Sequence, residues 1–410
     1  MPRLIKFILF IFILLGVGIL GLYITDNEHV LTALRSTYLI GRSGPDTDNH
    51  KFFENRTVQA TDPQPWEYHE DFNSHRLSLE DSTLLAAYRT TSFLVIHKGK
   101  ILYENYWEDG SDTMWSNSFS MAKSITSMLI GEAIEDGLIR SVEDKASDYL
   151  TDLKGTDKED VTIKHLLQMT AGIGFDEHYG DPFGFMAKAN YGDEMYQKTL
   201  SYPQVYEPGT RWEYLGGCTL LLSYIVQEVT GKTCTEHAQE RLWGPLGAEQ
   251  DALWTYDPST GRERAFCCFY SNATDFARFG QLFLCDGNWK GEQLISPQWV
   301  EESLTPCMVP DATGEPVDHY GYQWWLNSHK GIDVQCMRGL KGQYVIVIPE
   351  REAILVRLGH ERSDERIDHA PKDVYEFLDI ALKILPPIPE EYKREPLPAD
   401  SLELEESLSP

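Results

Sequence analysis

A single lysine interrupts the otherwise uncharged stretch Trp115 to Gly131, W-S-N-S-F-S-M-A-K-S-I-T-S-M-L-I-G. Ile125, Met128 and Leu129 recur there at helical spacing, and Gly131 and Gly137 punctuate the run, so the stretch predicts an apolar helix. Lys123 then points into apolar surroundings and needs a chemical reason to be there. Ser120 supplies one. Three residues is just under one helical turn, so a serine in the first turn and Lys123 emerge on the same face, close enough to exchange a proton. A serine hydroxyl is a weak nucleophile at neutral pH, and a neighbouring amine is one of the few groups that activates it. The helix start adds free N–H groups and the positive end of the helix dipole, which suit an atom that must later stabilise an oxyanion. A chain of this length holds on the order of one S-x-x-K by chance, so the pair gains meaning only from its surroundings.

Charge excludes one class of partner. With 64 acidic against 36 basic residues the net charge is −28, which argues against any sequence-independent grip on nucleic acid, whose phosphates demand Lys and Arg. The seven cysteines all lie between Cys218 and Cys336 and form neither a C-x-x-C pair nor a Cys/His zinc spacing. No metal and no organic cofactor is expected. An odd count leaves at least one thiol unpaired in a monomer, while individual bridges remain open.

Phe7 to Ile24 contains no charged residue, and a helix of that length nearly matches the roughly 30 Å hydrocarbon core of a bilayer. Arg3 and Lys6 precede it and Asp26 and Glu28 follow, so the expectation is an uncleaved single-span anchor with everything after Asp26 on the extracytoplasmic side. A cleaved signal peptide is the rival reading. Residues 25–71 read as a juxtamembrane arm without clear periodicity that wraps a domain over 72–387. The terminal stretch 388–410, rich in Pro and Glu, reads as a disordered acidic tail.

Within the domain, regular structure is expected to begin at Ser92 to Tyr106, two β-rich runs about a Lys-Gly-Lys turn, hence an antiparallel hairpin. A mostly helical lobe follows over about 107–315, including helices at Thr162 to Gly172 and Leu220 to Gly231. His165, in the first of these, reads as a packed histidine rather than a general base. Strand signals return at His319 to Leu326, Val334 to Met337, Tyr344 to Ile348 and Ala353 to Leu358. Val374, Phe377, Leu378, Ala381, Leu382 and Leu385 then form one helical stripe that should pack on the sheet. The expected class is α+β, an antiparallel sheet flanked by helices plus a mostly helical lobe.

Two further clusters carry chemistry. In E-P-G-T-R-W-E-Y-L-G-G, Glu207 to Gly217, Tyr214 precedes two glycines and an apolar helix, and a phenol beside an ammonium can relay a proton between nucleophile, leaving group and water. In R-G-L-K-G-Q-Y-V-I-V-I, Arg338 to Ile348, glycines leading into a strand permit close backbone approach.

The three clusters, in this order, resemble the serine β-lactamase-like hydrolases, which comprise class C β-lactamases, D-alanyl-D-alanine carboxypeptidases, esterases and amidases. The pattern is closest to the 6-aminohexanoate-dimer hydrolase branch. That resemblance spans roughly Phe93 to Leu385 and includes T-I-K-H-L-L-Q-M-T-A-G, Y-E-P-G-T-R-W-E-Y and Y-V-I-V-I-P-E. It implies a β-lactamase/transpeptidase-like fold, Ser120 as acylated nucleophile, Lys123 as general base and Tyr214 as proton shuttle. It also implies an oxyanion hole formed by the Ser120 N–H and a strand N–H placed at Leu340. Tyr179, in an acidic aromatic loop, falls where that branch has a substrate-contacting tyrosine, and Gly339 and Gln343 are further substrate-contact candidates.

Two departures bear on substrate. The family's Y-x-N reads Tyr214-Leu215-Gly216, so an amide side chain is missing, and Val334-Gln335-Cys336 stands where a cationic motif is usual. Arg338 and Lys341 are the nearby cations, and neither is in register. The expected function is therefore that of a membrane-anchored serine hydrolase acting on a small ester or amide. The alternatives are a D-Ala carboxypeptidase or weak β-lactamase and, from another class, a non-catalytic cell-wall-binding module on the same fold.

Overall fold

The computed structural model describes residues 3–387, and the expected acidic tail lies outside them. Its centre is a seven-stranded sheet in the order Trp325–His329, Ile332–Gly339, Gln343–Ile348, Ala353–Gly359, Thr90–His97, Lys100–Tyr106, Glu67–Tyr68. Every neighbouring pair is antiparallel except the last, where Glu67–Tyr68 runs parallel to Lys100–Tyr106. The expected hairpin is the Thr90–His97 and Lys100–Tyr106 pair.

Because successive strand residues face opposite sides, this sheet separates two cores. Phe93, Val95, Tyr344, Ile346 and Leu355 face one side and pack with Val374, Phe377, Leu378 and Ala381 of the terminal helix Lys372–Ile384. Leu94, Ile96, Val345, Val347, Ile354 and Val356 face the other, against the helices Met121–Glu135 and Ala273–Leu284. Strands covered on both faces read as continuous apolar runs, which is why these segments were recognisable.

Three regions differ from expectation. The strand expected from His319 begins only at Trp325, because the preceding residues form a tight loop. Tyr320 and Trp324 are fully buried there, and Gln323 adopts φ +65°. The Gln323 side chain donates to the Leu166 and Leu167 carbonyls and accepts from the Thr219 hydroxyl, while its own carbonyl accepts from Ser124. The local strand signal is overridden by packing between helices, which decides the conformation.

The region expected to be mostly helical holds a second sheet. Asn55–Val58, Ala252–Asp257, Phe269–Ser271 and Ser116–Asn117 lie side by side, with Arg262–Glu263 attached to Ala252–Asp257. Strands of two to six residues carry too little alternation to be read from sequence.

The stretch 25–71, expected to lack regular structure, forms the helix His29–Ser36 and contributes strands to both sheets. A further helix, Leu79–Ala87, precedes the hairpin, its amino end capped by the Ser78 hydroxyl accepting from the Asp81 N–H. Ahead of all this, Arg3–Ile24 is one helix with no buried residue, long and apolar enough to cross a membrane. A disulfide joins the adjacent residues Cys267 and Cys268, and Cys218, Cys234, Cys285, Cys307 and Cys336 are free thiols.

Candidate active site

The second sheet positions the turn that holds Ser120. Ser116–Asn117 pairs with Phe269–Ser271, and the Ser118 N–H donates to the Phe269 carbonyl at 2.7 Å. The chain then reverses at Phe119, whose φ of +44° is rare for a bulky residue. Burial of its ring and a bond from its N–H to the Asn117 side chain at 2.9 Å hold it there. Ser120 follows at the amino end of Met121–Glu135. Its hydroxyl is partly open, and its N–H finds no protein acceptor among the described residues.

Lys123 lies one turn on and is 1% exposed. Its Nζ donates to the Ser120 hydroxyl at 3.1 Å and to the Phe266 carbonyl at 2.9 Å, and sits 5.0 Å from the centre of the Tyr214 ring. The 3.1 Å separation from Ser120 is within the reach that a proton transfer between the two groups requires. Tyr214 precedes the helix Gly216–Thr230 and is packed edgewise on Tyr320 and tilted against Trp325, with ring centres at 5.9 and 5.1 Å.

The strand Ile332–Gly339 ends hard against this turn. A Cβ on Gly339 would lie 2.2 Å from the Ser118 carbonyl oxygen, so glycine is required by space and not by its extended φ of −120°. Leu340 follows immediately. Ser120, Tyr179, Tyr214, Gly339 and Leu340 line one cavity of about 350 Å³, with Lys123 beneath it.

Gln343 stands apart from that cavity. It is fully buried, and its amide donates to the Gly359 carbonyl at 2.5 Å and the Leu340 carbonyl at 3.3 Å, while its oxygen accepts from Ser116 and from the Gly359 N–H. It braces the turn after the strand and does not face substrate space. Lys341 is also turned away, paired with Asp46 at 3.1 Å. His165 caps its own helix, its ring nitrogen accepting from the Thr162 N–H at 3.2 Å.

The cavity also contains residues that sequence reasoning did not assign: Glu177, Trp212, Trp325, Arg362 and Arg366, together with Arg338. Glu177 answers the missing amide. Its carboxylate accepts from the Gly216 N–H, and a Cβ on Gly216 would meet Glu177 Oε1 at 2.8 Å. The carboxylate thus fills the space that a side chain at 216 would take. Burial pushes the Glu177 carboxyl above its ordinary range, against the pull of Lys123 and the Gly216 N–H. Its other oxygen, Oε2, is buried without a hydrogen-bond partner. Tyr179 is 55% exposed as a residue, yet its hydroxyl end turns inward toward Glu177 and Tyr214, and burial with the Glu177 charge holds the phenol well above its usual range.

Comparisons with known proteins bear on the family and the fold. A family model described as Beta-lactamase matches residues 83–374. The 6-aminohexanoate-dimer hydrolase of Paenarthrobacter ureafaciens is 27% identical over 285 residues, 66% of this chain and 72% of that protein. Among solved structures, a family VIII carboxylesterase superposes with a TM-score of 0.59 at 18% identity, covering 78% of this chain and 99% of that one. The octameric penicillin-binding protein homologue of Pyrococcus abyssi gives 0.58 at 20% identity, covering 74% and 75%. At such identities the two structures speak for the fold alone.

Proposed function

Because the chain belongs to the Beta-lactamase family and its relatives include a 6-aminohexanoate-dimer hydrolase and a lovastatin esterase, we propose that it is a serine hydrolase cleaving a small ester or amide through an acyl-enzyme on Ser120. One observation carries this reading: a buried lysine nitrogen 3.1 Å from a serine hydroxyl that opens into a cavity. A binding module has no use for that arrangement, since burying an amine beside a hydroxyl costs stability and gains nothing in recognition.

In this reading the Lys123 amine takes the Ser120 proton as Oγ bonds to the substrate carbonyl carbon. The resulting oxyanion faces the Ser120 N–H and the Leu340 N–H. Tyr214 passes the proton to the leaving group, whose bond to carbon then breaks, and water repeats the sequence to release the acid and restore Ser120. The domain over 72–387 is held to a membrane by Arg3–Ile24 and faces the extracytoplasmic side, as the basic flank of Arg3 and Lys6 directs.

Against the carboxypeptidase and β-lactamase alternatives stands the position of the usual cation. Val334 and Cys336 are buried in the core beneath the terminal helix and offer no charge.

Tyr214→Phe tests the assignment of the shuttle. A nitrophenolate leaves without a proton, whereas an amine must be protonated to leave. The variant is therefore expected to lose at least about tenfold more kcat/KM on an amide than on the matched nitrophenyl ester. Equal loss on both substrates would remove Tyr214 from that role.

A further inference from the structure

Trp212 and Trp325 form part of the wall of the Ser120 cavity. His319 packs against both, edge-on to Trp212 and nearly parallel to Trp325, with ring centres at 5.5 and 6.2 Å. His319 itself lines a second cavity, of about 600 Å³, together with Asp318, Asp333, Asp368 and His369. Among the described residues that line this second cavity there is no lysine or arginine. Arg338, which donates to the His369 carbonyl at 3.3 Å, lines the Ser120 cavity instead. Three carboxylates around a concave surface without a cation favour a positively charged occupant.

Asp318, His319 and His369 each bring one ligand atom to this place, and the three atoms lie within 4.8 Å of one another. The two histidine rings are stacked face to face, their centres 3.6 Å apart and their planes 1° from parallel. Two imidazolium rings at that distance would repel, so the stack favours neutral rings, the form in which imidazole binds metals. His319 is 7% exposed, and its Nδ1 is buried without a hydrogen-bond partner, the Asp318 carboxylate approaching it only to 3.5 Å. A buried ring nitrogen left unpaired is costly. Asn327, which lines the same cavity, also keeps its Oδ1 buried and unpartnered. The His319 backbone is fixed by the Leu326 N–H, which donates to its carbonyl at 2.9 Å, and His369 stands in the turn between the paired segments Arg366–Ile367 and Ala370–Pro371. Parallel rings do not converge on one point, so a tilt of the exposed His369 ring brings both nitrogens onto one ion. A second group, Glu108, Asp109 and His360, meets the same distance criterion. There both ring nitrogens are already bonded, Nδ1 to Asp46 at 3.4 Å and Nε2 to Asp109 at 3.2 Å, which leaves no lone pair for a metal.

We propose that Asp318, His319 and His369 hold a zinc ion, which clasps the loop before the strand Trp325–His329 to the hairpin over 366–371. Zinc takes imidazole nitrogen and carboxylate oxygen at about 2.0–2.2 Å in tetrahedral geometry, so three protein ligands leave the fourth position to water. The ion sits on the far side of Trp212 and Trp325 from Ser120, where it steadies the aromatic wall and takes no part in bond making. Cysteine spacing is silent about this site because no cysteine belongs to it.

The test uses the full chain in detergent, without a polyhistidine tag, stripped with a chelator and then titrated with zinc chloride. Elemental mass spectrometry after desalting is expected to find about one zinc per chain. Zinc should also raise the melting temperature by about 3 °C at a free concentration a hundredfold above Kd. Calcium should not, because imidazole is a poor ligand for so hard a cation.

Loss of one ligand should weaken zinc binding by about tenfold or more in Asp318→Asn and in His369→Ala. Both positions are exposed, so these variants carry the test even if the buried His319→Gln does not fold. Asp109→Asn, in the other group, should bind zinc as the wild type does. Zinc content well below one per chain, an affinity unchanged in both Asp318→Asn and His369→Ala, or an equal thermal shift with calcium would overturn the proposal. None of these readouts depends on turnover, so they stand or fall apart from the hydrolase reading.

Discussion

Lys123→Ala is expected to lower kcat/KM on an activated ester by at least about 10²-fold, the smallest loss typical of a missing general base. The expectation follows from geometry, because Lys123 Nζ is the basic group placed at 3.1 Å from the Ser120 hydroxyl. Ser120→Ala removes the atom that bonds to the acyl carbon. Groups that act as a unit are non-additive, so the double variant should be scarcely worse than either single one. Lys123 is also fully packed and donates to the Phe266 carbonyl. Lys123→Met, which keeps the length of the side chain without the amine, separates loss of the base from loss of packing. Retention of more than about a tenth of wild-type ester activity in a folded Lys123→Met protein would contradict the role assigned to the amine.

Gly339→Ala should be nearly as damaging, and for a reason that is steric rather than chemical. The backbone at Gly339 is extended and acceptable to alanine, but the added methyl would lie 2.2 Å from the Ser118 carbonyl oxygen. Ser118 cannot yield easily, because its N–H is tied to Phe269 at 2.7 Å. The strand end must move instead, carrying the Leu340 N–H, the second oxyanion donor of the proposed mechanism, away from Ser120. Loss of one oxyanion donor costs about 10²- to 10³-fold in kcat, whereas overpacking of this size costs about 1–3 kcal/mol of stability. A large fall in kcat with a modest fall in melting temperature is the expected signature. A variant that keeps a third or more of wild-type kcat would show that the end of this strand is not the oxyanion wall.

What was legible in the sequence follows from how local each signal is. Ser120 and Lys123 are three residues apart, so helical geometry alone places them together. The strands around Ser92, Tyr344 and Ala353 are buried on both faces and read as continuous apolar runs. Glu177 is different. Its place depends on Gly216, 39 residues away, so the sequence displays only a missing amide, while the fold brings a carboxylate into the vacant space. Arg362 lies in a loop and Arg366 in the two-residue strand Arg366–Ile367, segments too short to show periodicity, so only the packed structure brings them to the cavity. Gln343 was drawn toward the site by its neighbouring glycines, yet its strand carries it into the interior, where its amide closes backbone groups. The short strands of the second sheet, which set the pose of Ser120, pair residues as far apart as Asn117 and Tyr270. No local pattern encodes such a pairing.

The most direct measurement is to treat the full chain with a fluorophosphonate, determine its intact mass and map the modified peptide. A single adduct on the peptide containing Ser120, absent from Ser120→Ala and formed far more slowly in Lys123→Met, is the predicted result. An adduct on a different serine, or ester hydrolysis that persists undiminished in Ser120→Ala, would contradict it.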